Sequence, residues 1–148
     1  MSKRIALVLA LVGAFAFASI AWGATGFAGR FETGGTVAFN LAEPEPGGLK
    51  QVRRWRWDNL RIKCRNGKHR YDGMFTGLRI PVDPKFRTFR KKALNTWGGR
   101  AVLRGEFNED YTSATGTFKI RGRTSVGRRC RTNGKVPWTA RGAEPAPE

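Results

Sequence analysis

The stretch AVLRGEFNEDYTSATGTFKI, residues 101–120, decides the fold class. Ala101, Leu103, Gly105 and Phe107 alternate with Val102, Arg104 and Glu106. After Asn108-Glu109-Asp110-Tyr111 the alternation resumes, with Ala114, Gly116, Phe118 and Ile120 set against Thr115, Thr117 and Lys119. A period of two sends one set of side chains to a covered face and the other to water. Asn and Asp favour the bend between the two runs. The stretch reads as a half-buried antiparallel hairpin.

The same pattern recurs on both sides. Val37, Phe39 and Leu41 alternate with Ala38 and Asn40, and Val136, Trp138 and Ala140 repeat it near the end. Gly34-Gly35 closes a hairpin between Phe27–Glu32 and Thr36–Leu41. Asn66-Gly67, Asp72-Gly73, Asp83-Pro84, Gly98-Gly99 and Asn133-Gly134 are expected to be turns, and residues 43–48 a longer exposed loop. Gln51 to Cys64 is long for one straight strand, so a bulge is expected near Asp58-Asn59. No window shows a helical stripe. The expectation is an all-β fold, an antiparallel β-sandwich or barrel of about eight or nine short strands.

The N-terminus reads as an address. Lys3 and Arg4 precede an uncharged run from Ile5 to Trp22, and Ala21 and Gly23 are the small residues that cleavage before Ala24 requires. A cleaved signal helix over residues 1–23 is the leading reading. An uncleaved membrane anchor is the alternative, because the run nearly reaches the ~20 residues that span a bilayer. Both place the rest of the chain outside the cytoplasm. The domain is then residues 24–141, followed by a flexible tail over 142–148 with two prolines and no apolar period.

Among 148 residues, 28 are Lys or Arg and 11 are Asp or Glu, for a net charge of +17. Removing residues 1–23 takes Lys3 and Arg4 and no acid, which leaves +15. With 40% hydrophobic residues the chain is too apolar for a disordered polycation. Cys64 and Cys130 are the only cysteines, and in an oxidising compartment they are most simply a disulfide; inside the cell they would be free thiols. With one histidine they supply three metal ligands at most, at spacings unlike a zinc site.

From Phe31 to Trp138 the order of features resembles small exported all-β proteins of unassigned function from GC-rich Gram-positive bacteria. The likeness rests on Phe31-Glu32-Thr33-Gly34-Gly35 before the Val37/Phe39 strand, Cys64 with Asn66-Gly67, and a Phe86 strand. It continues through Gly105-Glu106-Phe107 to Ala114-Thr115-Gly116-Thr117, then Cys130 and Trp138-Thr139-Ala140. The resemblance implies the fold and a Cys64–Cys130 link, and carries no activity with it. Arg53-Arg54-Trp55-Arg56-Trp57 is more basic and richer in Trp than that group suggests.

Catalytic signatures are absent from the sequence: no Gly-x-Ser-x-Gly elbow, no phosphate-binding loop, no His-Glu-x-x-His. His69, beside Lys68 and Arg70, reads as a solvated turn residue. An enzyme would need Glu109, Asp110, Asp58 or Asp72 to converge in one cleft. The expectation is a non-catalytic domain with no cofactor.

Charge carries the remaining information. Arg53, Arg54 and Arg56 interleave with Trp55 and Trp57, and Arg87, Arg90, Lys91 and Lys92 lie among Phe86 and Phe89. Such groups suit a polyanion partner: a cell-wall polymer, acidic polysaccharide, nucleic acid or anionic lipid. On a strand, however, Trp55 and Trp57 share one face, so they also read as core with arginines on the far side. Nineteen of the 28 basic residues are Arg, a bias that a GC-rich genome alone produces. The competing class is a structural or protein-interaction domain in which charge serves solubility only.

Overall fold

The computed structural model describes residues 24–143 apart from Thr76 and Thr96. The expected signal helix, 1–23, and residues 144–148 of the expected tail lie outside the described residues. Ten strands follow in chain order: β1 (Ala24–Phe31), β2 (Thr36–Ala42), β3 (Gln51–Cys64), β4 (Gly67–Met74), β5 (Arg79–Pro81), β6 (Thr88–Leu94), β7 (Arg100–Phe107), β8 (Ser113–Thr124), β9 (Gly127–Arg131) and β10 (Val136–Gly142). All pairings are antiparallel within one sheet, running β10-β1-β2-β3-β9-β8-β7-β6. β4 and β5 add to β3, and β10 pairs with β8 as well as β1.

The fold is all-β, and no helix occurs among the described residues. The strand count exceeds the eight or nine expected, because β5 and β9, of 3 and 5 residues, are too short to display a period. β10 ends at Gly142, one residue inside the expected tail.

Alternation places the core where it was read. Val37, Phe39, Leu41, Ala101, Leu103, Phe107, Ala114, Phe118, Ile120, Val136, Trp138 and Ala140 are all buried. The rings form one connected aromatic cluster, with Phe39 stacked on Phe27 at 5.0 Å and on Trp55 at 5.3 Å, and Trp55 meeting Trp138 at 4.9 Å. Two glycines make room for it. Phe89 stands opposite Gly105, Gly105 opposite Gly116, and Gly116 opposite Trp138, so four adjacent strands carry a ring, two bare backbones and a ring. The two rings meet at 6.2 Å over the glycines. Backbone without side chains admits aromatic faces that a Cβ would push away.

β3 is long because it is twice bulged. Arg56 and Arg53 oppose Ala38 and Asn40 of β2, and Trp57 and Leu60 oppose Gly73 and Tyr71 of β4, so each interval holds one extra β3 residue. The extra turns fall at Arg54 (φ 53°) and Asn59 (φ 56°). The second matches the bulge expected near Asp58-Asn59. The first explains how Val52, Trp55 and Trp57 all face inward although Val52 and Trp55 differ in parity.

Asp72-Gly73 is not a turn but the interior of β4. Asp72 Oδ1 accepts the Asn59 N–H at 2.7 Å, which satisfies the bulge, and the Trp57 ring lies over Gly73. Phe86 is likewise no strand residue: it sits exposed in a turn after Pro84, and Asp83 Oδ1 accepts from the Lys85 and Phe86 N–H groups at 2.8 Å each. β6 begins only at Thr88.

Cys64 and Cys130 form a disulfide across 66 residues. A loop of that length implies stabilisation of about 4 kcal/mol in the chain-entropy treatment. The bond joins β3 to β9, two strands whose ladder consists of a single pair, Lys63 opposite Arg131. The staple therefore sits at the weakest seam of the sheet.

Candidate functional site: a row of cations across five strands

The outer face above that seam has an unusual register. Arg100 of β7 stands opposite Arg121 of β8, Arg121 opposite Arg131 of β9, Arg131 opposite Lys63 of β3, and Lys63 opposite Lys68 of β4. Opposed residues of antiparallel strands project to the same side, so five cations stand in one row perpendicular to the strands. All five are exposed. At about 4.8 Å between strands the row spans roughly 19 Å. Arg61 opposite Arg70 begins a second row beside it.

Among the described residues no acid pairs with a cation of this row. The two ion pairs among the described residues, Lys50–Glu43 at 3.2 Å and Arg56–Asp58 at 3.3 Å, lie elsewhere. Directly opposed like charges are destabilising, so four such junctions cost about 1–2 kcal/mol at low salt. The disulfide beneath them offsets that cost.

A cleft of about 800 Å³ opens along the row, between β3–β4 and the β9–β10 turn. Arg61, Lys63, Lys68, Arg70 and Arg131 border it, with no acid among its lining residues. Thr132, at its floor, is held by the Ile120 N–H at 3.2 Å and by donating to the Gly134 carbonyl at 2.7 Å. His69 lies in β4 rather than in a turn, with its Nε2 at 2.8 Å from Asn66 Oδ1.

The residues singled out in the sequence fall differently. Trp55 and Trp57 are core, 1% and 3% exposed, and present no stacking surface. Arg53 is half-buried, with Nε and Nη2 donating to Gln51 Oε1 at 3.3 and 2.9 Å. Arg54 is exposed on the bulge, and Arg56 is paired with Asp58. Arg87 donates from Nε to the Phe107 carbonyl at 3.3 Å. Arg90, Lys91 and Lys92 lie on β6, which does not pair with β3, so the two sequence clusters are not one site. Arg90 does join an opposed pair with Arg104.

The four carboxylates that an enzyme would need do not converge on one cleft. Asp58 and Asp72 are engaged at the β3–β4 bulge, while Glu109 and Asp110 belong to the β7–β8 turn. Hydrogen bonds from Lys50 and the Gly47 N–H hold the Glu43 carboxyl below its ordinary value, and burial raises the Tyr71 phenol, with an opposing hydrogen bond from Asn95. No group of three metal-ligating side chains occurs among the described residues.

Charge is also sorted along the strands. Glu43, Glu45, Asp83, Glu106, Glu109 and Asp110 gather at the end where β7 finishes; Lys50 over the Tyr111 ring, at 5.0 Å, ties two of those loops together. The other end carries the β3–β4, β8–β9 and β6–β7 turns, linked by Asn66 Nδ2 donating to the Val126 carbonyl and Asn95 Nδ2 to that of Arg123. Arg65, Arg123, Arg128 and Arg129 are exposed there, next to the row. No protein-family model, curated protein or solved structure matches the chain.

Proposed function

We propose that this is an exported, non-catalytic β-barrel domain that binds a polyanion through the row Arg100–Arg121–Arg131–Lys63–Lys68. The observation that carries the reading is the row itself. A fold gains nothing from aligning five unpaired cations, whereas a chain of anions laid along them releases its own counterions and relieves the repulsion. The barrel reading is supported by the ring of pairings β1-β2-β3-β9-β8-β10 returning to β1. Export agrees with a disulfide as staple. The likeness to small exported β-proteins of Gram-positive bacteria belongs to the same reading and adds no activity to it.

Retention on heparin resin, eluted by a salt gradient, tests it. The unaltered protein should require well above ~0.2 M salt, where the Debye length has fallen below ~8 Å. Arg121→Ala with Arg131→Ala should lower the slope of log affinity against log salt by about 2, near one per cation removed. Equal retention of the variant would move the contact away from the row, and elution of the unaltered protein at or below ~0.2 M salt would mean that the charge serves solubility only.

A further inference from the structure

One end of the row runs into an apolar tip. Leu94 stands directly opposite Arg100 and is 68% exposed; Trp97, in the β6–β7 turn, is 55% exposed, and Met74, at the end of β4, is 49% exposed. These are three of the five large apolar side chains exposed among the described residues, and they border one cleft of about 620 Å³ together with Lys91 and Lys92. Three exposed apolar groups at one cleft, flanked by cations, are not scattered surface residues.

The chemistry of the cleft separates the candidate partners. Asn95 is engaged by the fold: its Oδ1 accepts the Trp97 and Gly99 N–H groups at 2.9 and 2.7 Å, and its Nδ2 donates to the Arg123 carbonyl at 2.9 Å. Asp72 Oδ1 is taken by the Asn59 N–H. Ser125 and the second carboxylate oxygen of Asp72 remain on the cleft wall, while its rim presents the apolar Leu94, Trp97 and Met74 beside Lys91 and Lys92. A saccharide would leave the exposed Leu94 and Met74 side chains in water. An anionic lipid surface presents phosphates to cations and an apolar boundary to Trp and Leu, which is the arrangement on hand.

We propose that the β6–β7 hairpin docks on an anionic bilayer surface. Trp97 and Leu94 enter the headgroup–acyl boundary, and Arg100, Lys92 and Arg121 meet lipid phosphates. The proposal rests on the polyanion reading above and narrows it to one partner.

The test uses the chain from Ala24 onward, whose core is drawn wholly from its own residues Phe27 to Ala140. Trp55, Trp57 and Trp138 are buried, so a shift of tryptophan emission on adding vesicles reports Trp97. Vesicles of equal parts phosphatidylglycerol and phosphatidylcholine should sediment the protein, shift its emission to shorter wavelength and, when brominated, quench it. Vesicles of phosphatidylcholine alone should do none of these. Leu94→Ser with Trp97→Ser should weaken vesicle binding about tenfold or more while leaving heparin elution unchanged. Heparin retention without vesicle binding, or vesicle binding without an emission shift or quenching, overturns the lipid proposal and leaves the polyanion reading standing. Loss of retention on both supports overturns both.

Discussion

Gly116 shows how much rests on a single missing methyl group. A Cβ there would overlap the Arg104 carbonyl oxygen and the Trp138 ring, and at Gly105 it would overlap the Phe89 ring. Neither glycine has positive φ, so space and not backbone freedom is what the position demands. Gly116→Ala should lower unfolding stability by at least about 1–3 kcal/mol, the range for overpacked cores, and urea denaturation checks it. An unchanged midpoint would mean that β8 and β10 yield easily. The indole N–H groups of Trp55, Trp57 and Trp138 are buried without an oxygen partner, surrounded instead by aromatic rings. Alternation put both glycines on the covered face in the sequence. What it omitted is why they are glycine, since the ring that fills each space comes from another strand.

At the scale of the element, β3 is the informative strand. Its Arg-Trp interleaving resembles a binding motif, yet two bulges deliver Trp55, Trp57 and Leu60 to the core and leave Arg54 and Arg56 outside. The far half of β3 supplies Lys63, in the middle of the cation row. Arg131→Glu would convert two like-charge junctions into opposite-charge ones. The melting temperature at low salt should rise by a few degrees, corresponding to about 1 kcal/mol, while the salt needed for heparin elution falls. A lower melting temperature would show that Arg131 has a structural part beyond its charge. The row was illegible in the sequence for a definite reason. Its members lie on five strands, each looks like an ordinary solvated residue in its own alternation, and only the register aligns them. The hairpins were legible because turn residues and period are local, whereas the seam between β3 and β9 is set by residues far apart in the chain.

The whole molecule is charged at +15 once residues 1–23 are removed, with six of its eleven acids at one end and the turns at the other dense in arginine. Self-repulsion of that size should make stability rise with ionic strength. Thermal melts from low salt to ~0.3 M should climb, because a Debye length of ~6 Å suppresses repulsion beyond neighbouring strands and weakens it between them; a fall would point to ion pairs as the larger electrostatic contribution. The pairing of β1 with β10 bears on synthesis. Phe31 lies against Trp138 and Phe27 against Gly142, so the earliest strand made waits for the last one made. A nascent chain halted before Val136 would leave both β1 and β8 with open edges and no partner to close them. On the export proposed above, such a polypeptide would meet the channel before its ring of pairings exists, and that ring would close only when its final strand arrives.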